Sequence, residues 1–287
     1  LQEQMRQLGD CLEKTLDVDV LLKLGEKADI DVLGSVTVTA DGSSQKCEAQ
    51  KNADLVLQNQ FAGEKISHSV IRIRLGVAWD EAFCFYYRDN LEFLEKQGVQ
   101  IVRFSPVHDK HLPDDLDGLL LGGGYPELYA KALEENETIR NEIRRKAEED
   151  MPILAECGGY LYLLKELKDE NGTGYEMAGV FSGKGYKKGK NSHFGYITVQ
   201  TERDSLYLKA GETIKGHEFH YWESTQDENE LKMQAKKPTG KRSWPCVTVK
   251  NQVMAGFPHL YYPSLEGFGE RFVQACDRYR MKRKRQQ

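Results

Sequence analysis

From residue 71 onward the apolar positions come in short unbroken runs separated by amphipathic stretches. Leu75-Gly76-Val77-Ala78 predicts a strand, residues 87–97 a helix, and residues 99–104 the next strand. A second run, Gly118-Leu119-Leu120-Leu121, precedes a long charged helix expected over 134–149 and a strand at Pro152-Ile153-Leu154-Ala155. A strand with one wet face alternates apolar and polar residues, whereas these runs are apolar throughout. That is the pattern of a mostly parallel sheet with helices on both faces, so the expected fold class is α/β. Sites in such sheets lie at the carboxyl ends of the strands, and the glycine clusters of this sequence fall there.

After Leu167 the helical pattern fades. Short strands at 196–200 and 246–249 alternate with Gly, Lys and Asn turns, and they complete the same sheet with antiparallel strands. Upstream, Leu8, Cys11, Leu12, Leu16, Leu21, Leu22 and Leu24 recur near helical spacing with breaks at Gly9 and Gly25, so residues 1–30 read as one or two short helices. Residues 31–70 are polar and irregular and read as a linker or insertion. The division expected is 1–30, 31–70, a main domain at 71–277, and a basic, solvated tail at 278–287.

Composition narrows the classes. A net charge of −5 and 39% hydrophobic residues describe a globular chain without a nucleic-acid footprint. No apolar run approaches a membrane span. The six cysteines have neither C-x-x-C spacing nor a regular relation to the histidines, which argues against a zinc ribbon and a disulfide framework. No metal ligand set is expected. The chain opens on a charged amphipathic stretch without a signal-peptide core, and a reducing cytoplasm is the expected setting.

The sharpest chemical feature is Ala155-Glu156-Cys157-Gly158-Gly159-Tyr160-Leu161-Tyr162-Leu163, where a buried strand runs straight into a helix with a cysteine at the turn. A nucleophile on a tight strand-to-helix turn needs small neighbours. The N–H groups of the following helix favour thiolate over thiol, and the Gly158 N–H is placed to stabilise an oxyanion. A lone cysteine after a strand is more often structural; the flanking Gly-Gly reverses that balance. A second cluster, Leu121-Gly122-Gly123-Gly124-Tyr125-Pro126-Glu127, either lets backbone N–H groups approach a substrate carbonyl or is a simple turn. Seven histidines are candidates for a base. His259 follows the apolar Val253-Met254-Ala255 and a Gly256-Phe257-Pro258 turn, so it too belongs at a strand end. His217 and His220 lie in Gly216-His217-Glu218-Phe219-His220-Tyr221, a compact group suited to ligand binding but lacking H-E-x-x-H spacing.

Taken together, these segments resemble the glutaminase part of the cobyrinic acid a,c-diamide synthase family, over about residues 71–275. The resemblance implies a class I glutamine amidotransferase-like, flavodoxin-like fold preceded by a short helical and irregular segment. It implies Cys157 as nucleophile and His259 as base, with Gly123 or Gly124 and Gly158 as oxyanion hole. Tyr125 and Glu127 would shape a glutamine site, and His217, Glu218 and His220 a substrate-binding, corrin-facing surface. Many class I amidotransferases carry a glutamate two residues after the histidine; here that position is Tyr261, so either His259 works without a carboxylate, as the resemblance to this subfamily implies, or another acid such as Glu218 or Glu266 substitutes. The partners implied are glutamine, a corrinoid acid and an N-terminal P-loop synthetase domain that would use ATP and Mg²⁺; a homodimer is also compatible. No G-x-x-x-x-G-K-[ST] loop occurs in these residues, and residues 1–28 are similar to the end of the family's synthetase domain, so a C-terminal part or one chain of a split enzyme is expected. Hydrogenobyrinate and nickel sirohydrochlorin are alternative ring substrates. A binding module with a vestigial thiol and a protease-like thiol enzyme are the competing classes.

Overall fold

The computed structural model describes residues 73–286 apart from 190–192, 227–230 and 240–241. The expected N-terminal helices and the 31–70 linker lie outside the described residues.

In chain order the strands are β1 Ile73–Ala78, β2 Phe83–Phe85, β3 Val99–Phe104, β4 Gly118–Leu121, β5 Gly123–Gly124, β6 Ile153–Glu156, β7 Glu166–Lys168 and β8 Gly174–Glu176. They continue as β9 Lys184–Lys187, β10 Phe194–Gln200, β11 Thr213–Phe219, β12 Trp222–Ser224, β13 Leu231–Lys236, β14 Ser243–Lys250, β15 Val253–Gly256 and β16 His259–Leu260. The helices are α1 Arg88–Lys96, α2 Ala130–Glu135, α3 Glu137–Glu148, α4 Gly158–Leu163 and α5 Glu266–Gln286.

Ten strands form one sheet in the order β16-β11-β10-β13-β14-β15-β6-β4-β1-β3. From β15 through β6, β4 and β1 to β3 every pairing is parallel. From β15 back to β16 every pairing is antiparallel. The apolar runs predicted as buried strands are the parallel half, and the expected antiparallel completion is the other.

Alternation across the parallel strands explains why both faces need covering. Leu119, Leu121, Ile153, Ala155, Val253 and Ala255 point into one core with Ile139 and Ile143 of α3 and the apolar residues of α4. Leu120, Leu154 and Met254 point the other way, onto Leu94 of α1 and Phe268 and Phe272 of α5. Each face loses its apolar surface from water only when its helices dock.

Two expectations change. The helix expected over 134–149 is two, α2 and α3, with Asn136 between them at φ −83° and ψ 63°, outside the helical region. The basic end is also not a loose tail, because residues 266–286 form one helix. Arg283 of its last turns pairs with Asp115 and, at 3.0 Å, with the buried Asp117, which also accepts from the Arg74 N–H at 2.9 Å. A buried carboxylate at the start of β4 thus recruits the basic end. No helix among the described residues is long and apolar enough to cross a membrane.

Candidate functional site

β6 and β15 run parallel with Glu156 opposite Gly256, and the Cys157 N–H donates to the Gly256 carbonyl at 2.8 Å. The chain then turns sharply into α4. Cys157 sits at φ 49° and ψ −102°, a left-handed conformation that a side-chain-bearing residue adopts only when its surroundings impose it. Packing explains the glycine two residues on. A Cβ at Gly159 would lie 2.1 Å from the Leu121 carbonyl oxygen, so α4 could not sit against β4 with any side chain there.

The second glycine cluster comes to the same place. β5 pairs antiparallel with β2, which brings Phe85 edge-on to the His259 ring at 4.6 Å between centroids. A Cβ at Gly123 would lie 2.3 Å from His259 Cε1, and one at Gly158 would lie 3.0 Å from the Gly124 nitrogen. Gly123, Gly124, Gly158 and His259 therefore converge beside the cysteine, although they arise from three distant stretches of sequence.

His259 is held by β16, where it is register partner to His217 of β11. Its Nδ1 lies 3.9 Å from Oε2 of Glu156, the residue directly before the cysteine. Oε1 of Glu156 accepts from the Tyr262 hydroxyl at 3.0 Å and from the Leu260 N–H at 3.3 Å. The carboxyl is thereby fixed from below, with its other oxygen toward the imidazole. Sequence reasoning sought a substitute for the missing glutamate at Glu218 or Glu266. Instead Glu218 accepts from Trp244 Nε1 at 3.1 Å, Glu266 is exposed at the start of α5, and Tyr261 donates to Asp89 at 3.2 Å. The available signal was an acidic residue ending a strand otherwise wholly apolar.

Burial sets the resting protonation. It pushes the Cys157 thiol up to about 12, with the Glu127 carboxyl adding to the effect and a hydrogen bond from the Gly158 N–H opposing it. It holds His259 down to about 3, helped by His217 and His220. It raises Glu156 to about 8 against its two hydrogen bonds, and Glu127 to about 7. Burial thus favours the thiol over the thiolate and the neutral imidazole over the imidazolium. It therefore opposes the thiolate that the helix N–H groups favour, in a residue only 8% exposed.

The remaining predicted residues divide. Glu127 is buried and close enough to raise the thiol, whereas Tyr125 is 57% exposed. The 216–221 motif is split by strand alternation. His217 lies between the exposed rings of Phe194 and Tyr196, while Glu218 and His220 point inward and are buried. His220 therefore does not belong to an exposed corrin-facing surface as expected; its ring is stacked on Phe257 at 4.0 Å. A larger cleft of about 930 Å³ near Thr201, Leu206 and Arg278 holds none of the predicted site residues.

Residues 74–265 match the CobB/CobQ-like glutamine amidotransferase domain. The chain belongs to this amidotransferase family. It is 38% identical over 209 residues to a cobyrinate a,c-diamide synthase of Caldanaerobacter subterraneus subsp. tengcongensis, covering 72% of this chain and 46% of the relative. It is 34% identical over 269 residues to that of Picrophilus torridus, covering 94% and 52%. The CobB/CobQ-like chain thus spans about half the length of the curated relatives it matches. Two solved structures share its fold. One, described as a putative GMP synthase protein from Thermoplasma acidophilum, gives a TM-score of 0.51 at 18% identity, over 74% of this chain and 98% of that one. Another, described as a glutamine amidotransferase, gives 0.50 at 18%, over 71% and 98%. The α/β sheet expected from the apolar runs is the class I amidotransferase fold, and the elbow cysteine of this CobB/CobQ-like chain lies where the fold's parallel strands end.

Proposed function

We propose that the chain is the glutamine-hydrolysing part of a cobyrinate a,c-diamide synthase, a glutamine-dependent carbon–nitrogen ligase. The observation that carries the reading is the convergence of His259 with the Gly123, Gly124 and Gly158 backbone next to Cys157, at the ends of neighbouring strands. The Cys157 sulfur attacks the side-chain amide carbon of glutamine while His259 accepts the thiol proton. The tetrahedral oxyanion accepts hydrogen bonds from the Gly158 N–H and from that of Gly123 or Gly124. Collapse breaks the carbon–nitrogen bond, and His259 returns the proton to the departing ammonia. Water then attacks the glutamyl thioester with His259 as base, which frees glutamate and restores the thiol. A thiol held near 12 and an imidazole near 3 fit proton transfer coupled to attack better than a standing ion pair.

Glu156 orients His259. Ionised, it favours the tautomer with the proton on Nδ1, leaving the Nε2 lone pair for the thiol, and it stabilises the imidazolium formed in the transition state. Glu127 and Tyr125 border the glutamine pocket, and half-buried His217 faces the acceptor side. The ammonia goes to the a and c carboxylates of a corrin ring, a substrate supported by the relatives' names over hydrogenobyrinate or nickel sirohydrochlorin. Activation of those carboxylates belongs to a P-loop synthetase part using ATP and Mg²⁺. The present residues contain no G-x-x-x-x-G-K-[ST] loop, so neither group enters the steps above. Free thiols at Cys84, Cys157, Cys246 and Cys276 suit a reducing cytoplasm.

The test is ammonia release from glutamine by the chain and by Cys157→Ala, with and without an added P-loop synthetase domain, ATP and cobyrinic acid. Release that disappears in the variant is expected. Equal release by both, or none by either with every component present, refutes the assignment.

A further inference from the structure

Behind the aromatic pair Tyr160 and Phe257 lies a cavity of about 190 Å³ whose wall carries His193, Glu218, His220 and Glu223. One ligand atom each from His193, His220 and Glu223 lies within 4.8 Å of the others. Glu218 Oε2 is 3.6 Å from His220 Nε2 and 3.9 Å from His193 Nδ1, and His193 Nδ1 is 4.0 Å from Glu223 Oε1. These residues come from the start of β10, the end of β11, the turn after it and β12. No sequence spacing announces them.

His220, His193 and Glu218 are each held by a neighbouring side chain or carbonyl. The His220 Nδ1–H donates to the Trp222 carbonyl at 2.6 Å, which fixes the tautomer and leaves the Nε2 lone pair toward Glu218. The same ring is clamped on Phe257 at 4.0 Å. His193 is stacked on Trp244 at 4.3 Å, and the Trp244 indole N–H donates to both Glu218 oxygens at 3.1 and 3.3 Å.

The geometry points to a divalent metal site of the zinc class formed by His193, His220 and Glu223, with Glu218, beside both histidines, as the fourth donor. Mixed imidazole and carboxylate donors suit Zn²⁺, Co²⁺ or Ni²⁺ and not Mg²⁺ or Ca²⁺. Metal–ligand bonds near 2 Å place tetrahedral donors roughly 3.4 Å apart, so the pairs at 3.6–4.0 Å must contract by about 0.2–0.6 Å, and any wider pair by more. Lys188, whose Nζ lies 3.7 Å from Glu223 Oε1, would yield Glu223 to the ion. Four protein donors close the coordination sphere, which makes the ion structural. By fixing His220 it would fix Phe257, two residues before His259 on the same turn. The site rests on these residues alone and stands or falls independently of the glutaminase reading.

Chelator-treated chain is titrated with Co²⁺ and followed by visible d–d absorption, then back-titrated with Zn²⁺, with retained metal counted after gel filtration. One equivalent per chain is expected, with a tetrahedral spectrum that Zn²⁺ abolishes. Affinity should fall at least tenfold in His193→Gln, whose side chain is on the cavity rim, and in Glu223→Gln. His220→Gln should lose binding, and metal-free thermal melting shows whether that variant has folded. No bound metal in the wild type, a sulfur-to-cobalt charge-transfer band placing the ion on Cys157 or Cys246, or undiminished binding in the folded His193→Gln/Glu223→Gln double variant overturns the site.

Discussion

Glu156→Gln is the substitution that separates an orienting carboxyl from a merely buried one. Glutamine has nearly the same shape and retains an oxygen to accept from Tyr262 and Leu260, so both hydrogen bonds at 3.0 and 3.3 Å survive. What disappears is ionisation. With Glu156 near 8, about one-eleventh is ionised at pH 7 and about ten-elevenths at pH 9, so a step requiring the anion should accelerate about tenfold over that interval. The assay is the pH dependence of kcat/KM for glutamine hydrolysis, backed by the rate at which a diazoketone analogue of glutamine labels Cys157. The variant should lose the basic rise and run about 100-fold slower at pH 9, or about 3 kcal/mol in the barrier. The same group governs stability with a definite sign. Its folded pKa is raised from 4.5, so the folded state binds more protons than the unfolded one, and stability present below about 4.5 is lost as pH rises through about 8. That loss is at most about 5 kcal/mol and should be absent in the variant. His259, depressed from 6.5 to about 3, acts oppositely and loses its contribution as pH falls through that range. A wild-type profile flat between pH 7 and 9, or a variant that keeps the rise, would refute the orienting role.

Glu127→Gln removes the charge that, after burial, contributes most to raising the Cys157 thiol. The thiol pKa should therefore drop, and iodoacetamide alkylation at pH 8 should accelerate in proportion to the thiolate gained, about tenfold if the pKa falls by one. An unchanged alkylation rate would show that the two groups do not communicate. Gly123→Ala places a methyl 2.3 Å from His259 Cε1 and should cut glutamine hydrolysis about 100-fold by displacing the ring, while circular dichroism shows an intact fold. Activity within threefold of wild type would mean His259 is not held there. Arg283→Ala strips the buried Asp117 of its cation and should cost about 2–4 kcal/mol in denaturant unfolding; a change under about 0.5 kcal/mol would return the basic end to a solvated role.

The sequence by itself determined the parallel half of the sheet, because strands buried on both faces must be apolar throughout, and unbroken apolar runs ending in glycine are visible without a structure. It marked Cys157 as the candidate nucleophile for a related reason: a tight strand-to-helix turn tolerates only small neighbours, and small neighbours can be read directly, whereas His259 as its base came from the family resemblance. Tertiary structure decided the rest. Glu156 looked like the last residue of a strand until β15 and β16 brought His259 within 3.9 Å of it. The 216–221 motif looked like one group until strand alternation sent His217 outward and His220 inward. The thiol's protonation could not be read from its helix, because desolvation depends on everything packed around the sulfur. Arg283 looked solvated because its partner, Asp117, lies 166 residues away in sequence. Local patterning records which surface a residue must hide; only the closed fold records which distant residue it then meets.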